Sequence, residues 1–194
     1  MKDSNPPSSY LSAQKNHINE IVDIHLESLA DDFLPQLGKT VLTTYYNAFI
    51  VHNPIIIVKM ENKVVGFAAL GIHPIDIRSL FLRHYKQIIC TLLRKPFLWG
   101  QAVWLAVPRK HATIYPEIQF IAVQKRYRGL SLGSNLIAHT QRCLSERNQT
   151  YLQVKTHDTN TLTNHFYQKN GFVVTGKEKR CNKTFHIYSK KIDE

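Results

Sequence analysis

Residues 117–134 read EIQFIAVQKRYRGLSLGS, and this stretch decides the fold. The first seven residues are apolar and rich in β-formers, so residues 117–123 are expected to form a strand. A basic turn follows, with Lys125, Arg126 and Arg128. Gly129 and Gly133 leave neighbouring backbone N–H groups uncovered by side chains. A helix is expected from about Ser131 to residue 147, with Leu136, Ile137 and Leu144 on its apolar face. The first N–H groups of a helix lack intrahelical partners, and its dipole attracts anions. The turn is therefore suited to a pyrophosphate. It contains neither GxxxxGK[ST] nor GxGxxG, and an ordinary strand-to-helix turn with solvated arginines is the competing reading.

Arg128-Gly129-Leu130-Ser131-Leu132-Gly133 resembles motif A of the GNAT superfamily of acyl-CoA-dependent N-acetyltransferases, Q/R-x-x-G-x-G/A. Ser131 departs from the glycine usual there, but a serine is a favourable residue at a helix start. A second block, residues 160–172 (NTLTNHFYQKNGF), resembles the family pattern N-x-x-A-x-x-x-Y-x-x-x-G-F, with Thr163 in place of alanine. The two blocks cover about residues 113–175, and Tyr10 to Leu29 is similar to the family's first strand and helix. The resemblance implies a mixed α/β (α+β) fold with a central, splayed sheet of six to seven strands flanked by helices. It also implies acetyl transfer from acetyl-CoA to a primary amine, by direct attack in a ternary complex.

Site residues follow from that resemblance. The backbone of Ile121, Ala122 and Val123 is expected to hold the pantetheine arm as an added strand, next to a bulge whose N–H polarises the thioester. The backbone from Arg128 through Gly129, Leu130, Ser131, Leu132 and Gly133 to Ser134 is expected to hold the pyrophosphate. Asn160 matches the asparagine that contacts the arm. An alkylammonium, with a pKa of about 10, must lose a proton before it can attack. Glu117 is the candidate base, its pKa raised by apolar walls, with relay through water as the alternative. Tyr167 is the candidate acid for the leaving thiolate, the alternative being a core aromatic beside Phe166. Neither His165 nor Cys143 is assigned a role.

The remaining chain narrows the reading. With 194 residues and 43% hydrophobic content, one globular domain is expected, with residues 1–9 as a loose tail lacking a signal-peptide core. Three scattered cysteines and no recurring ligand spacing among ten histidines argue for a reducing cytoplasm and against a metal site. A net charge of +11 implies anionic partners: the coenzyme, RNA, a phosphorylated substrate or an anionic membrane face. No RNA-binding motif is present.

Elements expected before the central stretch are a strand at 8–12, helices at 16–30 and 37–51, and strands at 55–58 and 64–70. After it come a strand at 151–155, a helix at 160–170 and strands at 172–175 and 184–189, the last two joined by a basic turn at 177–183. Residues 74–112 form a long insertion between the third and fourth strands, expected as one amphipathic helix over 75–94, a break at Pro96 and an apolar segment over 97–107. Its apolar run is too interrupted to span a membrane. It either packs on the core, walls the substrate, or touches a partner or membrane surface through residues 75–110. The acceptor stays open among aminosugars, protein amines and RNA-linked amines, and the oligomeric state between monomer and homodimer. A GNAT-shaped module that binds acyl-CoA without turnover is the alternative function.

Overall fold

Near-continuous apolar runs form the centre of the molecule, as expected for strands covered on both faces. The computed structural model describes residues 8–106, 116–180 and 183–192, with the side chains of 104–106 outside the description. Strands β2 (Ile55–Met60) and β3 (Lys63–Gly71) are buried along almost their whole length. They are joined at Glu61 and Asn62, whose φ values of 50° and 63° suit a tight hairpin turn. The other strands are β1 (Ser8–Ser12), β4 (Glu117–Val123), β5 (Tyr151–His157), β6 (Val173–Arg180) and β7 (Lys183–Lys191). All seven form one sheet in the order β1-β2-β3-β4-β5-β7-β6. Only β4 and β5 pair in parallel.

Helices α1 (Ile18–Ser28), α2 (Phe33–Gln36) and α3 (Lys39–His52) cover one face of β2–β4, around Tyr46, Phe49, Phe67 and Ala122. Helix α7 (Leu132–Ser145) covers the other face, with Leu132 and Leu136 on Val58 and Ala68. Helix α8 (Thr161–Lys169) packs with α7 over β5 and β7 through Tyr167, Ile137, Val154 and Tyr188. It ends where expected, at Asn170 and a left-handed Gly171 (φ 81°).

The insertion departs from the expected single helix. It breaks at His84 into α4 (Ile77–Arg83) and α5 (Tyr85–Arg94), followed by a 3-10 turn at Pro96–Leu98 and α6 (Trp99–Ala106). His84 leaves helical geometry (φ −112°, ψ 19°) and its Nε2 lies 2.9 Å from Thr44 Oγ1 on α3. The bend lets Leu80, Ile88, Leu92 and Leu98 all reach the core beside α3. Two further expectations change. Residues 177–183 are mostly not turn: β6 and β7 stay paired out to Arg180↔Lys183, as cross-strand pairing carries a polar ribbon well past its apolar residues. Ser8 and Ser9, read both as the end of the tail and as the start of the strand at 8–12, belong to that strand and pair with Met60 and Lys59; residues 1–7 and 107–112 lie outside the described residues.

Candidate active site

The strand that decides the fold changes partners halfway along. Glu117 and Ile118 pair with β3 on one side and with Gln153 and Val154 of β5 on the other. Beyond Ile118 the β5 side of β4 has no strand partner among the described residues, while β5 continues along β7 as far as His157. The two strands therefore part, and a groove opens between them.

A bulge marks the parting. Ala69 pairs with Phe120 and Leu70 with Ile118, so Gln119 is the extra residue on β4. Side-chain alternation breaks there. Ile118 packs toward Tyr167, Phe120 and Ala122 face α1 and α3, and Ile121 returns to the α7 side. The Gln119 side chain is held on the α3 side, where Tyr45 Oη donates to its Oε1 at 2.6 Å. It also lies over Gly71, where a Cβ would fall within 2.9 Å of Gln119 Cδ. Beneath Phe120 sits fully buried His25, ring centroids 4.6 Å apart. His25 Nδ1 lies 2.7 Å from Tyr46 Oη, and its Nε2 is buried without a hydrogen-bond partner among the described residues. Burial lowers the His25 pKa to about 4, so the ring is neutral near pH 7.

At the far end of β4, a 3-10 turn at Lys125–Tyr127 leads into α7. Gly129 (φ 83°) and Ser131 (φ 58°) both adopt left-handed backbone. Among the described residues, no N–H from Gly129 to Ser134 donates a hydrogen bond, so these donors are available to a ligand. Ser131 occupies the position before the helix, but its hydroxyl makes no capping bond; a capping serine sits in extended backbone, and this one does not. Arg128 Nε donates to Val123 O at 3.1 Å, tying the turn to the strand and occupying a carbonyl expected to serve the pantetheine arm. Lys125 and Arg126 are exposed beside the turn. Gly133 has the Phe166 ring of α8 over it, with Cζ 3.2 Å from where a Cβ would stand.

At the closed end, Glu117 meets a different environment from the apolar one expected. Lys155 Nζ of β5 lies 3.4 Å from Glu117 Oε2 and 3.3 Å from Glu178 Oε2. Arg180 grips Glu178 through two hydrogen bonds of 3.0 and 2.9 Å. Burial raises the Glu178 carboxyl, but Arg180 and then Lys155 outweigh it and hold it low. Ile118 packs with Tyr167, so the alternation puts Glu117 on the Tyr45 face, and its charge raises the Tyr45 phenol after burial does. The two candidate catalytic groups thus approach the parting point from opposite faces of the sheet.

Tyr167 is 3% exposed, ringed by Phe166, Phe172 and Tyr188, and burial raises its phenol well above the ordinary value. Its hydroxyl takes part in no hydrogen bond among the described residues, and it keeps its proton at neutral pH. Asn160 caps α8 through Oδ1 to the Thr163 N–H at 3.2 Å, leaving its amide group exposed. Asn164, about one helical turn from both Asn160 and Tyr167, pins the β5–α8 loop by donating to His157 O and Asp158 O at 3.1 and 3.0 Å. On the α1–α2 side, Asp32 is closely surrounded by protein yet exposed. That crowding, and then Asp31, push its carboxyl up to about 6 against the charge of Lys183 near the β6–β7 tip. Tyr45, Gln119, His25 and Lys155 were not singled out from the sequence. The broken alternation over residues 118–122 was the one local signal for the bulge. Among the described residues no three His, Cys, Asp or Glu side chains gather to hold a metal.

The sequence model of the acetyltransferase (GNAT) family matches residues 19–172, and the chain belongs to this family. The ribosomal-protein-S18-alanine N-acetyltransferase from Escherichia coli has the same fold, with a TM-score of 0.65 at 13% identity, over 97% of this chain and 96% of that one. Ard1 from Thermoplasma volcanium gives a TM-score of 0.63 at 15% identity, over 96% and 99%. A protein described as a streptothricin acetyltransferase from Bacillus anthracis, solved in complex with acetyl coenzyme A, gives 0.51 at 22% identity, over 76% and 68%. At these identities the likeness is one of fold. No curated protein gives a significant sequence match.

Proposed function

We propose that the protein is an N-acetyltransferase that moves an acetyl group from acetyl-CoA to a primary amine by direct attack in a ternary complex. The observation that carries this reading is the parting of β4 and β5 beyond Ile118 and Val154, directly before a helix start with uncovered N–H groups. In the proposed complex the edge of residues 119–123 pairs with the pantetheine arm once Arg128 releases Val123 O, and the N–H groups from Gly129 to Ser134 meet the pyrophosphate. The exposed amide of Asn160 is directed to the arm. The whole chain, residues 1–194, is read as one such domain.

The acceptor ammonium gives a proton to the Glu117 carboxylate, directly or through water. The freed amine forms a bond to the acetyl carbon, and the carbon–sulfur bond breaks. Tyr167 supplies the proton that the departing thiolate takes up, and the second proton lost by the acylated nitrogen returns to the Tyr167 oxygen through water. Lys155 keeps Glu117 oriented at the strand start in this scheme, since it bridges Glu117 and Glu178. The acceptor is an amine of an aminosugar, a protein or an RNA-linked group.

The test is calorimetry with acetyl-CoA, followed by thiol release against a panel of amines. Binding with release on one amine class is the expected outcome. A second reading, a binding module without turnover, is favoured by one observation: Ser131 holds a left-handed backbone where a glycine would be unstrained. Binding without release on any amine class would select that module, and no binding would remove both readings.

A further inference from the structure

The insertion presents two different faces. Its inner side is anchored: Leu80, Ile88, Leu92 and Leu98 join the core, Gln87 Nε2 donates to Leu37 O at 2.9 Å, and Lys95 Nζ to Gln36 Oε1 at 3.2 Å. Its outer side carries Leu82, Tyr85, Ile89, Leu93, Phe97 and Trp99, each between 46% and 74% exposed. Elsewhere the described residues expose only five large hydrophobic side chains, spread over four elements, so the concentration here is specific to the insertion. On α5 the spacing is regular. Tyr85, Ile89 and Leu93 recur every four residues beside the buried Ile88 and Leu92, so one continuous apolar arc is only half covered by protein. Lys86 borders the exposed half, Arg94 stands exposed at the end of α5, and Arg78 and Arg83 stand exposed on α4. From residue 77 to residue 106 the sequence has five Lys and Arg and no Asp or Glu.

We propose that this outer face docks on the surface of an anionic lipid bilayer. The charge pattern selects this occupant. A second copy of the chain in a two-fold contact would set this patch against itself, so cations of one copy would face cations of the other with no acidic side chain between residues 77 and 106 to pair them. A nucleic acid would satisfy the cations but leave the leucines and Phe97 in water. An anionic headgroup layer satisfies both: cations meet phosphates while Leu, Ile and aromatic side chains enter the acyl boundary. No described helix is long and apolar enough to cross a membrane. Helix α5, at ten residues, is about 15 Å long and lies along the interface in this arrangement. The inference stands apart from the proposed catalysis, because it uses no residue of the β4–β5 groove.

The experiment is co-sedimentation of the full chain with vesicles of equimolar phosphatidylcholine and phosphatidylglycerol, beside vesicles of phosphatidylcholine alone. Preferential binding to the phosphatidylglycerol vesicles, weakened by salt, is expected. The double variant I89S/L93S should lower the partition coefficient about tenfold or more, as two apolar side chains are lost from the interface. The variant K86E/R94E should lower it about fivefold per charge or more. All four positions are exposed, and unchanged melting curves and acetyl-CoA binding would show that the variants fold. Absence of vesicle binding by the wild-type chain overturns the proposal. So does binding that neither double variant weakens. A dimer seen by sedimentation velocity that I89S/L93S dissociates, without vesicle binding, would assign the face to self-association instead.

Discussion

The two ends of β4 are held by opposite means. At the closed end, charges do the holding: Glu117, Lys155, Glu178 and Arg180 form one chain of ion pairs across β4, β5 and β6. At the open end, aromatic packing and a single hydrogen bond hold the bulge: Phe120 on His25, and Tyr45 on Gln119. The charges of the closed end surround the proposed base. The uncharged support of the open end lies on the face opposite α7 and leaves the β5 side of the strand uncovered. Groove formation is thus a matter of which residues refuse to pair, and the bulge at Gln119 is where that refusal is built.

The largest effect expected concerns the junction of the two ends. Tyr167→Phe should lower kcat about 100-fold or more and leave acetyl-CoA affinity unchanged, read by steady-state kinetics and calorimetry. Equal kcat in both proteins would make Tyr167 a core aromatic only. At the closed end, Glu117→Gln should cost about 10- to 100-fold in kcat/KM and remove the rising limb of its pH profile. A profile of unchanged shape would locate the base elsewhere.

At the open end, the support should be sensitive to acid. The His25 pKa lies near 4 in the folded chain and near 6.5 when unfolded. Between those values the unfolded chain takes up a proton that the folded chain refuses, so stability falls as pH falls from 6.5 to 4 and is full above that range. The difference of about 2.5 pH units corresponds to about 3 kcal/mol. Asp32, raised to about 6, contributes in the opposite sense over the same range, so the loss is read as the difference between melts of the wild type and of His25→Gln. A difference that does not change with pH there would mean that the ring is not buried neutral.

Two smaller changes separate the bulge from the turn. Gly71→Ala displaces the Gln119 side chain from its bond with Tyr45 and should destabilise by about 1 kcal/mol, with a fall in kcat/KM. Loss of stability with full activity would show that the latch does not serve the groove. Ser131→Gly relieves a left-handed serine and should stabilise by about 1 kcal/mol, with acetyl-CoA bound at least as tightly. Weaker binding would mean that the serine hydroxyl itself contacts the ligand.

Much of this was legible in the order of residues. The strand 117–123, the helix after the turn, the Asn170-Gly171 stop and the Glu61-Asn62 hairpin all rest on local chemistry: β-propensity, uncovered N–H groups, and residues that tolerate positive φ. The two family blocks pointed to the family and its splayed sheet. The break at His84 was not legible, because the partner that stabilises it, Thr44, lies 40 residues away. The long β6–β7 ribbon was missed because its outer half has no apolar alternation to mark it as strand.

What the sequence by itself determined is the class of machine: strand, basic glycine turn, helix, and a second block that supplies Tyr167. Local steric and hydrogen-bond preferences suffice for that. What only the tertiary structure decided is the condition of each working group. Glu117 has an ammonium beside it because β5 places Lys155 there, and the bulge is latched because Tyr45 reaches Gln119 across 74 positions of chain. Such contacts join residues whose spacing carries no pattern, and their energies exist only once the sheet has brought them together.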